Sequence, residues 1–179
     1  MIAALCRLRA ERSGTALVEF ALVLPVALTL YYGTLQLQDA IACNRKVTIA
    51  TRALADLVAQ NLTGDTTAAA VDGVLGASTQ VLAPYPAGPA TMRVTQVMTD
   101  AANRTTVQWS RARGGLPLAK GTQMTIPVQM RIPGTYFLLS EVTYGYTPPV
   151  FFGDLAVVRL ADSLYMLPRN SAKIDCGDC

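Results

Sequence analysis

The stretch TALVEFALVLPVALTLYYGTL, residues 15–35, is aliphatic, aromatic or small at nearly every position and carries one charge, Glu19. An α-helix rises 1.5 Å per residue, so about 20 apolar residues cross a ~30 Å hydrocarbon layer. This run has that length and predicts a membrane-spanning helix. Pro25 falls inside it, which membrane helices tolerate and which can bend them. The carboxylate needs a reason, because a charge at the centre of such a helix costs roughly 2.5–3.5 kcal/mol on insertion scales.

The flanks orient the run. Residues 1–14, MIAALCRLRAERSG, place Arg7, Arg9 and Arg12 before it against one acid, Glu11, and no arginine follows directly after it. The positive-inside rule then predicts a cytoplasmic N-terminus and a chain that otherwise lies outside. Beyond the run the helical period persists. Cys43, Val47, Ala50, Leu54 and Leu57 recur at steps of three and four, an apolar stripe, while Arg45, Thr48, Arg52, Asp56 and Gln60 lie mostly off it. Arg52 and Asp56 are one turn apart, the spacing of a helical ion pair. Asn61-Leu62-Thr63-Gly64 supplies a stop. One helix is therefore expected from Thr15 to about Asn61, roughly 70 Å long.

Residues 68–75 predict a short second helix, and the prolines and glycine of PYPAGPA, residues 84–90, end regular structure. The period then changes to two. Met92, Val94 and Met98 alternate with Arg93 and Thr95, DAAN at 100–103 reads as a turn, and Thr105, Val107 and Trp109 are expected on one face of the returning strand. Arg111 and Arg113, in RARGG, read as a solvated loop. Met124, Ile126, Val128, Met130 and Ile132 alternate, but Pro127 and Pro133 restrict them to an edge strand or extended loop. Residues 136–146 are β-rich and end before Pro148-Pro149; residues 157–166 lean towards strand. The sum is an α+β chain, a long N-terminal helix followed by a small antiparallel sheet.

The 179 residues fit one domain of ordinary size, and 51% hydrophobic against 15% charged residues points to membrane association. The net charge of +3 is small and scattered, without the basic stripe of a nucleic-acid binder. There is no histidine, which removes Ser-His-Asp and Cys-His catalysis and histidine-containing metal sites. A Ser-Lys or carboxylate-pair enzyme remains, with no spacing that points to one. No catalytic residue, cofactor or metal is expected.

The N-terminus admits three readings. A secretory signal could be cut after Ala40-Ile41-Ala42, which would leave Cys43 first, as at a lipoprotein site; the apolar run is longer than the usual 7–15 residues. An uncut signal anchor of a periplasmic enzyme or binding module explains the length and the arginines but not Glu19. The third reading cuts before the run, between Gly14 and Thr15. There RSGTALVEFALVLPV, residues 12–26, resembles a type IV prepilin: a short basic leader, a glycine, and glutamate as the fifth residue of the mature chain. The Glu19-Phe20 pair is similar to the Glu-Tyr site of the Tad (tight adherence) pilus branch, with Phe in place of Tyr. ALVLPV, ATRALADLVAQN at 50–61 and LYMLPR at 164–169 resemble TadE-like pseudopilins.

The resemblance implies a TadE-like pseudopilin or minor pilin in assembly or priming of an adhesive pilus. It implies a cytoplasmic leader over 1–14, a transmembrane helix over 15–35, a periplasmic continuation over 36–62, a linker with a short helix over 63–90 and a β-rich periplasmic domain over 91–179. Prepilin peptidase would cut at Gly14/Thr15 and recognise Glu19 and Phe20. Other partners would be the major pilin and other pseudopilins, met through the N-terminal helix, the inner-membrane assembly platform and membrane lipid. The mature Thr15 carries an ammonium one helical turn from Glu19, and the carboxylate can meet that amine or a neighbouring subunit's; in low dielectric such a pair attracts strongly and fixes register.

Cys6 leaves with such a leader. Cys43, Cys176 and Cys179 would face the periplasm, where disulfides persist. Cys176-Gly-Asp-Cys179 lacks the βαβ setting of a thioredoxin-like motif and has too few ligands for zinc. A structural bridge is expected, either within the motif or from one of its cysteines to Cys43, with Cys43 equally able to stay a buried free thiol.

Overall fold

Helix α1, Ser13–Ala59, runs unbroken for 47 residues through Pro25. The structure is a computed structural model and describes residues 13–148 and 157–179; the leader arginines, Cys6 and Pro149 lie outside the described residues. Up to Leu35 every described side chain on α1 is exposed, so among the described residues this half is a largely apolar helix that the sheet domain does not bury. A helix of that kind is a membrane span or a buried core helix. α1 is long and apolar enough to cross a membrane, and its apolar section is unburied.

From Cys43 onward the same helix is amphipathic and forms one wall of the core. Cys43, Val47, Ala50, Leu54 and Val58 are buried, flanked by Thr51, Ala55 and Ala59. The stripe expected through Leu57 ends instead on Val58. Leu57 is 46% exposed, because a 3.6-residue period counted from Leu54 reaches the fourth residue rather than the third. Arg52 does not take Asp56 in an ion pair; Asp56 meets Arg169 from the C-terminal tail.

The sheet has five strands: β2 Ala90–Thr99, β3 Thr105–Arg113, β4 Gln123–Met124, β5 Tyr136–Tyr146 and β6 Val158–Met166, in the spatial order β4-β3-β2-β5-β6, with every pairing antiparallel. α1 lies across β5 and β6. Helix α2, Ala68–Thr79, capped by the Thr67 hydroxyl on Ala70 N at 3.2 Å, runs back along β3. Between helices and sheet sits the main core, with Leu75, Met92, Val94, Trp109, Leu138, Val142 and Ile174. The other face of the sheet is capped by residues 114–135, whose Leu118, Met124 and Met130 pack on Val97, Val107 and Phe137.

That second cluster corrects the reading of β3. Gln96 pairs with Trp109 and Val97 with Val107, so Gln108 is an extra residue, a β-bulge. The bulge reverses the alternation. Val107 stays with Thr105 on the outer face while Trp109 turns inward to the main core. RARGG is likewise not a loop up to its glycines. Arg111 and Arg113 close β3, and Arg111 forms an ion pair with Asp72 of α2.

The end of α1 is closed by the tail. Arg169 N donates to Ala59 O at 2.9 Å and Asn170 Nδ2 to Gln60 O at 3.0 Å, satisfying carbonyls that a helix terminus leaves open. The Asn61 carboxamide oxygen accepts from Thr63 N and Gly64 N, turning the chain. Two short strands, β1 Asp65–Thr66 and β7 Asp175–Cys176, then pair in parallel and bind the C-terminus beside that turn.

Candidate functional site

The residues singled out in the sequence occupy two places on α1 and one on the tail. Gly14, Thr15, Glu19 and Phe20 lie in its first two turns, Phe20 64% exposed. Thr15 and Glu19 are one turn apart on a continuous helix, and in the uncut chain the Thr15 nitrogen is a peptide nitrogen. Cys43 is fully buried at the other end of the exposed section, a free thiol. Burial pushes its pKa up, and the nearby Asp39 charge adds to this, so the thiol is held in its unreactive protonated form. Cys176 and Cys179 are bridged to each other, the first of the two alternatives the sequence left open. Asp178 within that small ring accepts from Ala68 N at 2.8 Å, at the start of α2.

A second cluster, missed from the sequence, sits where α1 leaves its exposed section. Asp39 lies four residues beyond Leu35. Its Oδ1 accepts from the Tyr85 hydroxyl at 2.8 Å and its Oδ2 from the Tyr146 hydroxyl at 2.6 Å. Tyr85 comes from the Pro-rich loop after α2 and Tyr146 from the end of β5, so one carboxylate ties three elements together. Tyr144 stacks edge-on to Tyr85, ring centroids 6.4 Å apart, and donates to Pro86 O at 3.1 Å. Burial, then the hydrogen bond to Asp39 and its charge, push the Tyr85 pKa up to about 12; the same causes in the same order raise Tyr146 further. The available signal was a lone acid just past the apolar run, with tyrosines in two turn-rich segments, PYPAGPA and YGYTPP.

A helix of membrane-spanning length continues into the core of a small α+β domain, which fits a membrane-anchored protein. Residues 14–56 match the family model described as TadE-like protein. The matched segment covers the exposed section of α1 and most of its buried stripe, and over that segment the chain is similar to TadE-like proteins. That family is structural rather than enzymatic. No curated protein and no solved structure matches the chain. The sheet, the Asp39 cluster's tyrosines and the tail lie beyond the matched residues.

Proposed function

We propose that this chain is a TadE-like pseudopilin or minor pilin, cut by a prepilin peptidase between Gly14 and Thr15 on the cytoplasmic side of the inner membrane, with the sheet domain in the periplasm. One observation carries the reading: Glu19 stands one turn after Thr15 on a helix whose next turns are exposed and apolar. Cutting after Gly14 creates an ammonium within a turn of that carboxylate, and a negative charge in a first turn also suits the helix dipole. The pair gives the helix a reason to carry a charge that would otherwise oppose insertion. Through α1 the mature chain would meet other pseudopilins, the major pilin and the assembly platform. A cut after Ala42 with lipid on Cys43 would extract a fully buried side chain from the core, which counts against the lipoprotein alternative.

Two experiments test this. Co-expression of precursor and peptidase should yield a mature mass beginning at Thr15, and a bulky residue at Gly14 should block it; a chain starting at Cys43, or one never cut, refutes the processing role. Glu19→Gln keeps the shape and removes the charge. It should leave membrane level unchanged and abolish surface piliation in a strain lacking the native gene. Normal piliation by that variant at normal protein level refutes the pairing.

A further inference from the structure

The Asp39 cluster fixes which end of the sheet domain faces the membrane, and how closely. This rests on the reading of residues 15–35 as a membrane span. Tyr31 and Tyr32, exposed with their rings edge to face, stand at the end of the apolar run, where tyrosines mark a lipid–water interface. Asp39 is about 6 Å along the helix from Leu35, within the headgroup layer or at its edge. Its two hydrogen bonds therefore hold the 83–89 loop and the end of β5 at the same height. The rest of the domain follows by register. Val158 is the partner of Tyr146, Arg159 of Gly145 and Ala90 of Tyr144, and Gly114 abuts Ala90.

The surface of that end suits a lipid headgroup layer. Val157 and Val158 are 60% and 45% exposed, and Leu116, two residues past Gly114, is 86% exposed. Arg159 adds a positive charge beside them, and Arg113 stands two register positions further up the sheet. Among the described residues Asp39 is engaged by two tyrosine hydroxyls and Asp72 by Arg111, while Asp162 stands at the same register height as Arg113 and accepts only from the Ser163 backbone. Asp65, Asp100, Asp175 and Asp178 all lie at the opposite end, with the β2–β3 turn and the tail. Apolar tips, tyrosines and Arg159 at the very end, with Asp162 set back from it and four carboxylates at the far end, form a polarity suited to an anionic membrane surface.

We propose that the end of the domain built from the 83–89 loop, the last residues of β5 and the first of β6 rests on the phospholipid headgroup layer, and that the Asp39–Tyr85–Tyr146 bonds hold it there. The domain would then be seated on the bilayer rather than swinging on its helix.

Spin labels on the full chain test this in vesicles of phosphatidylcholine with and without phosphatidylglycerol. Labels are placed singly at Thr147→Cys, Ala101→Cys and Val26→Cys in a Cys6→Ser background, and collisions with oxygen and with a water-soluble nickel chelate are compared. The Val26 label should favour oxygen and the Ala101 label, in the far turn, should favour the chelate. The Thr147 label, exposed in the isolated chain, should lose chelate access relative to Ala101, and lose more with phosphatidylglycerol present. Asp39→Ala, or Tyr146→Phe should the first not fold, should restore it. Equal chelate access at Thr147 and Ala101 with Val26 immersed overturns the seating alone. Chelate access at Val26 overturns the membrane span beneath it. A Thr147 label that stays shielded in both clamp variants overturns the role given to Asp39.

Discussion

Tyr85 and Tyr146 donate to opposite oxygens of the same carboxylate, and both keep their protons beyond the ordinary tyrosine range. The linkage sign follows from that. The unfolded chain ionises its tyrosines near pH ~10, while native Tyr85 holds its proton to about 12. Between those values the native state binds more protons than the unfolded state, so stability falls as pH rises. It is fully present below pH ~10. Denaturant midpoints of the detergent-solubilised protein should therefore drop steadily above that pH. Tyr146→Phe should lower stability at neutral pH by about 1.5–3 kcal/mol, the worth of a hydrogen bond to a charged group, and make the alkaline fall shallower. An unchanged neutral midpoint would show that the Tyr146–Asp39 bond contributes nothing. Glu19, the residue that stands out in the sequence, stands out for the opposite reason: Asp39 is satisfied within its own fold, and Glu19's proposed partner is made only by cutting the chain.

At the scale of elements, α1 is two helices in one, and its length hides the change. Its exposed section answers to lipid and its later turns to the sheet, yet the backbone is continuous through both. Periodicity made the helix, its amphipathic half and four of the five sheet strands legible. It failed where one extra residue shifted the count. Gln108 turns Trp109 inward and sends Val107 outward, and nothing local to Thr-Thr-Val-Gln-Trp announces a bulge. The step from Leu54 to Val58 rather than Leu57 is the same kind of error, one residue in phase. β3 ends at a sharper device. Gly114 has φ +74°, and a Cβ there would lie 2.4 Å from Ala90 O, the backbone of the neighbouring strand. Gly114→Ala combines that clash with a conformation L-residues avoid, and should cost roughly 1–3 kcal/mol. Its midpoint shift against wild type is the measurement. Gly73→Ala, with open space where the new methyl would sit, is the matched control and should not destabilise.

Over the whole molecule, the helix and the sheet are joined by contacts that no local pattern could reveal, because their partners are far apart in sequence. Asp39 meets Tyr146, Asp56 meets Arg169, and Ile174 is held by both its backbone groups: its N–H by Gln96 at 2.8 Å and its carbonyl by the Trp109 indole at 2.7 Å. Removing residues 170–179 would uncover the buried Ile174 site, leave the Trp109 N–H without its acceptor and release the Asp178 contact to α2. The truncated chain should unfold or melt far below wild type, whereas Cys176→Ser, which opens only the small ring, should cost less. Non-reducing peptide maps should find Cys176 joined to Cys179, and Cys43 should resist alkylation until the protein is denatured. A wild-type melting curve for the truncated chain, or rapid alkylation of native Cys43, would contradict these expectations. The position of Ile174 also sets an order of events. Its site consists of groups on β2 and β3, so it exists only once those strands have paired. Until Ile174 docks, the main core between α1 and the sheet lacks one of its buried members. Closure of the core is therefore a late step that latches an already assembled sheet, and a chain in which the latch fails exposes its own interior to proteolysis.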